Sequence, residues 1–115
     1  MKTTQINLEI QLDENHVPEK IQWQATDAPI KEKQEVKAMF LSLWDANEKN
    51  TLKIDLWTKD MTMDDMKVFF HQTLLTMTDT LLKSTGEDKI VGDMRDFCDY
   101  FAEKMGISYQ NPSTN

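Results

Sequence analysis

At 115 residues, with 39% hydrophobic and 29% charged side chains, the chain suits one globular domain, and disorder throughout is excluded. Its 13 basic and 20 acidic residues leave a net charge of −7, and an acidic surface repels nucleic acid and anionic membrane. A single cysteine, Cys98, excludes an internal disulfide; with no apolar signal core near Met1, a cytoplasmic setting without membrane insertion is expected.

Residues 5–13 open the chain with a two-residue period: Ile6, Leu8, Ile10 and Leu12 alternate with Gln5, Asn7, Glu9, Gln11 and Asp13. That is the pattern of a strand with one dry face. Asp13 to Pro18 reads as a turn, after which Ile21, Trp23 and Ala25 resume the alternation and complete a hairpin. Residues 26–34, with Pro29 and the run Lys31-Glu32-Lys33, are loop-like. The segment 36–45 fits two periods. Val36, Met39, Phe40, Leu43 and Trp44 lie at helical spacing, whereas Met39, Leu41 and Leu43 alternate. A strand is expected, because the polar turn Asp45–Asn50 and the alternating Leu52, Ile54 and Leu56 follow as a second hairpin, but a helix stays open.

Two helices follow. Thr62 with Asp65 three positions on resembles a capping box, and Met66, Phe69, Phe70, Leu74, Met77 and Leu81 recur at three- and four-residue spacing up to Gly86. Ile90, Val91, Met94, Phe97, Cys98, Phe101, Ala102 and Met105 mark one stripe of a second helix, which Gly106 closes. Gly92, inside that helix, suggests a close helix crossing. The expected fold is therefore α+β: an antiparallel four-stranded sheet of two hairpins, followed by two C-terminal α-helices packed on one face. One domain is expected over residues 1–109, with 110–115 a frayed polar tail.

Chemistry is sparse in this pattern. The first 85 residues contain no glycine, which argues against a dinucleotide-binding or P-loop phosphate site. His16, His71 and Cys98 are too scattered to suggest a metal centre, and no cofactor is expected. Asp64 and Asp65 suit a helix N-terminus, and Asp96, Asp99 and Glu103 a solvated face, so catalysis is not expected. Phe40, Trp44 and Trp57 fall on the sheet face opposite Leu41, Leu43, Leu52, Ile54 and Leu56. As an open aromatic patch they would form a dimer or partner interface, unless the 26–34 loop covers them or residues 36–45 are helical.

Leu43-Trp44-Asp45, Thr51-Leu52-Lys53-Ile54-Asp55-Leu56-Trp57-Thr58-Lys59-Asp60-Met61 and Met94-Arg95-Asp96-Phe97-Cys98-Asp99-Tyr100-Phe101 resemble the GldC family of gliding motility-associated proteins from Bacteroidota. So do Met66-Lys67 to Leu74 and the opening from Asp13 to Ile21; the likeness spans about residues 5–106. The resemblance implies a small accessory protein of gliding motility and its associated secretion machinery, with no reaction, ligand or catalytic residue. The combined expectation is a non-enzymatic module that binds a motility or secretion protein, with self-association open. A secretion-chaperone-like holder of an exported substrate is the alternative; a small-molecule-binding domain would need a cavity of converging polar groups.

Overall fold

A computed structural model describes residues 1–108 and divides the chain into two compact units, Met1–Met61 and Thr62 onward. The tail expected at 110–115 lies outside the described residues.

The first unit is built of strands. β1 (Ile6–Leu12) and β2 (Pro18–Ala25) pair antiparallel with Leu8 opposite Trp23 and Ile10 opposite Ile21. Their turn is organised by Asp13, whose Oδ1 accepts from the Asn15 and Val17 N–H groups at 2.8 and 2.9 Å. His16, not the neighbouring asparagine, takes the left-handed backbone position, at φ 63°. Pro18 starts β2, where its missing N–H does least harm. β3 (Gln34–Val36) adds a short third strand against β2, with Val36 opposite Ile21, which is fully buried. That strand starts at the last residue of the 26–34 stretch expected to be loop and ends at the first residue of the 36–45 segment.

The helix alternative for residues 36–45 is not adopted. β4 (Ala38–Asp45) is a strand and pairs with β5 (Asn50–Trp57) from Ala38 opposite Trp57 to Asp45 opposite Asn50. In the intervening turn Asp45 Oδ1 accepts from Asn47 N–H at 3.0 Å, and Lys49, not an asparagine, is left-handed at φ 51°.

A single four-stranded sheet does not form. The five strands among the described residues make a three-stranded sheet, β1-β2-β3, and a two-stranded sheet, β4-β5. The reason lies at Lys37. β3 pairs backward with β2, β4 pairs forward with β5, and β2 shares no pair with β4. Nothing therefore stitches the two ladders together across Lys37. The break is held locally: Thr58 N–H donates to the Lys37 carbonyl at 2.8 Å, and Lys37 Nζ lies 3.0 Å from Asp60 Oδ2. The buried Thr58 hydroxyl lies 2.6 Å from Asp60 Oδ1 and 3.3 Å from the Lys37 carbonyl, so the shorter contact takes its proton.

The second unit is a helical hairpin of α1 (Met63–Thr85) and α2 (Asp88–Met105). Thr62 caps α1, its Oγ1 accepting from Asp65 N–H at 3.0 Å, and Asp64 and Asp65 sit in the first turn where the helix dipole favours negative charge. α1 is unusually rich in threonine, a modest helix former. Its hydroxyls are satisfied by donating to carbonyls a turn back, as Thr73 does to Phe69 at 2.7 Å and Thr85 to Leu81 at 2.7 Å. Gly86 and Gly106 stop the two helices in the left-handed conformation, at φ 71° and 67°.

Val91 and Cys98, one heptad apart on α2, are buried, as are His71 and Thr78 of α1. The His71 ring stacks on Phe101, with centroids 6.2 Å apart and planes 9° from parallel. Arg95 Nη2 reaches Asp79 Oδ1 at 3.1 Å, a half-exposed pair that adds little. Gly92 is exposed, and a Cβ built there meets nothing within 4 Å. The close crossing expected at Gly92 is thus not its role.

Candidate interaction surface

The β4–β5 register decides which side chains share a face. Phe40, Ser42 and Trp44 of β4 lie on one face with Thr51, Lys53, Asp55 and Trp57 of β5. Phe40, Trp44 and Trp57 therefore do share a face, as their spacing suggests. Trp44 is 66% and Trp57 53% exposed, while Phe40 is half-buried. The two tryptophans stand at opposite ends, however. Trp57 is opposite Ala38, six residues from Trp44, so about 20 Å of strand separates them.

Polar groups interrupt the aromatic face between its ends. Lys53 Nζ lies 5.0 Å from the centre of the Phe40 ring and 2.6 Å from Asp55 Oδ1. The cation rests on the aromatic face while its charge is balanced along the same strand. The surface is two aromatic anchors flanking a charged middle, not one greasy patch.

The other face is more continuously apolar. Met39 is opposite Leu56, Leu41 opposite Ile54, and Leu43 opposite Leu52. Leu43, Leu52 and Ile54 are 51%, 53% and 48% exposed. The alternation of these residues was legible as a dry face, but their exposure is a property of the folded chain alone. In the helical unit, Leu74 and Thr78 of α1 with Met94, Phe97 and Cys98 of α2 line an open groove of about 200 Å³.

Ionisable groups fall into pairs that favour their charged forms. The Lys59 ammonium, hydrogen-bonded to Asp13, holds that carboxyl below its ordinary range, helped by the Val17 and Asn15 N–H groups. The Thr58 hydroxyl and then Lys37 lower Asp60 in the same way. Lys37 and Lys59 are correspondingly raised by their hydrogen-bonded carboxylates. Burial, then the charge of Asp99, pushes the Cys98 thiol up. Among the described residues, no group of three or more His, Cys, Asp or Glu side chains is placed to hold a metal ion. No described helix is long and apolar enough to cross a membrane.

A family model described as gliding motility-associated protein GldC-like matches residues 18–107. That span takes in β2 to β5 and both helices, including every residue of the two β4–β5 faces. No curated protein and no solved structure matches the chain.

Proposed function

The chain belongs to the GldC-like family of gliding motility-associated proteins, and from that premise we propose that it is a cytoplasmic, non-enzymatic accessory protein that works by binding another protein of the motility or associated secretion machinery. One observation carries the reading: Trp44 of β4 and Trp57 of β5 stand open at opposite ends of one face of the β4–β5 pair. Tryptophan is among the side chains that contribute most when buried at a protein interface, and two on one face offer two such anchors. The electrostatics agree. Asp13 and Asp60 are held charged by their partners, the opposite of tuning a carboxyl to exchange a proton near neutral pH. The acidic surface, at net −7, suits a basic partner.

The test is partner capture from native cells with Trp57→Glu and Trp44→Glu. Because both side chains are more than half exposed, each variant should keep the wild-type circular dichroism and unfolding midpoint. Loss of the specific motility or secretion protein from the captured set is expected; capture at wild-type yield by both variants would overturn the reading. A second reading, a chaperone-like holder of an exported substrate, is favoured by the open Leu43, Leu52 and Ile54 face. On that reading an unfolded segment of substrate, rather than a folded component, is retained.

A further inference from the structure

The outer edge of β5 has a phase that the ladder itself sets. Thr58 N–H donates to the Lys37 carbonyl at 2.8 Å, one step past the Ala38–Trp57 pair. In an antiparallel ladder, hydrogen-bonded and non-bonded pairs alternate. Counting back by twos from Thr58, residues Leu56, Ile54 and Leu52 turn their N–H and C=O groups toward β4. Thr51, Lys53, Asp55 and Trp57 therefore turn theirs outward.

Nothing among the described residues pairs with that edge, because β4-β5 is a two-stranded sheet. Seven of the eight β5 residues are exposed, and none is proline. Such an edge is a template for another strand, and a two-stranded ribbon is marginal alone in water.

We propose that β5 pairs antiparallel with β5 of a second copy of this chain, about a two-fold axis at Ile54, to make one sheet in the order β4-β5-β5-β4. Charge complementarity selects this occupant and this register. Lys53 faces the second copy's Asp55, and Asp55 faces its Lys53, while Leu52 meets Leu56 and Ile54 meets itself. The outward groups also meet if the strands slip by one step of the ladder. A slip one way sets Lys53 against Lys53, and the other way Asp55 against Asp55; like charges directly opposed destabilise a sheet. The centred register is the one in which opposite charges meet, every outward group from Thr51 to Trp57 is paired, and the contact is self-complementary as a two-fold dimer requires. The apolar face then runs unbroken across four strands, through Leu41, Leu43, Leu52, Ile54 and Leu56 of each copy. β1, β3 and β4 are also edge strands among the described residues, and their single charges, Glu9, Glu35 and Asp45, offer no such complement.

The inference does not rest on the motility reading, and its test uses purified protein. At roughly 100 μM, well above a micromolar dissociation constant, light scattering should report the mass of two 13.5 kDa chains. K53D should weaken the dimer about tenfold, and K53D/D55K, which restores opposite charges, should recover it. Asp55→Pro removes an outward N–H, which an edge strand tolerates, and should yield a folded monomer. If that variant fails to fold, cysteine cross-linking decides instead. Ile54 opposes itself in a non-bonded pair with Cα atoms about 4.5 Å apart, within disulfide range. Ile54→Cys should therefore form a disulfide dimer under oxidation, whereas Leu52→Cys alone should not; buried Cys98 stays out of the reaction. A wild-type monomer at that concentration, with Lys53 and Asp55 guarding the edge, would overturn the proposal. So would a dimer indifferent to K53D, or Leu52→Cys cross-linking as readily as Ile54→Cys.

Discussion

Cys98 shows how far a single residue's behaviour follows from its position on a helix. Its place on the α2 stripe points to a small buried hydrophobe, and the folded chain buries it with its thiol raised by desolvation and then by Asp99. The reactive species is the thiolate, so the native protein should resist a thiol-specific disulfide reagent and react on denaturation. Rapid labelling of the native protein would show a different environment. Asp60 is the opposite kind of residue, legible as a charge but not as a partner. Its carboxyl is held below the ordinary 3.8 by the Thr58 hydroxyl and then by Lys37. Since the folded value is the lower one, the stabilisation is complete above the unfolded value and is lost as pH falls through the folded value. Asp60→Asn should therefore flatten the fall in stability below pH 3.8, measured as urea midpoint against pH, while Asp13 retains its share. An unchanged acid limb would remove Asp60 from the account. His16 and Lys49 carry the left-handed turn positions that neighbouring asparagines would suit better by intrinsic preference. In the first turn the Asp13 carboxylate gathers the Asn15 and Val17 N–H groups, and in the second Asp45 gathers those of Asn47 and Glu48. The side chain that anchors each turn, rather than the one that tolerates the dihedral, selects the geometry.

At the scale of elements, the helices are the most legible part of the chain. Thr62, Gly86 and Gly106 sit where capping chemistry places them, because caps depend on groups within a turn of one another. Gly92 is the exception. Its expected packing role fails because open space surrounds it, leaving only the entropic cost of glycine inside a helix. Gly92→Ala should accordingly stabilise the helical unit by about 1 kcal/mol, read as a higher urea midpoint. A lower midpoint would reveal a contact at that position. β1, β2, β4 and β5 were legible one by one, from alternation, but the short β3 and the grouping of the strands were not. Lys37 divides what looks like one segment, and the division depends on two partners: β2, which lies earlier in the chain, and β5, which lies later.

For the molecule as a whole, the matter is what the exterior does. The tryptophan substitutions and the β5 edge variants read different quantities, captured partner and mass in solution, so either can fail without the other. The residues Phe40, Trp44 and Trp57 were placed on one face by parity alone, since alternate side chains of a strand must point the same way. Parity cannot supply the distance between the two tryptophans, nor set Lys53 and Asp55 between Trp57 and Trp44, because both depend on where β5 sits against β4. The amino-acid sequence by itself determined the local periods, the turns, the helix caps and the family, all of which arise from groups a few positions apart or from matched motifs. Tertiary structure alone decided the split at Lys37, the phase of the β5 edge and which apolar side chains stand in water, because each of these follows from pairing between strands that the linear order leaves free.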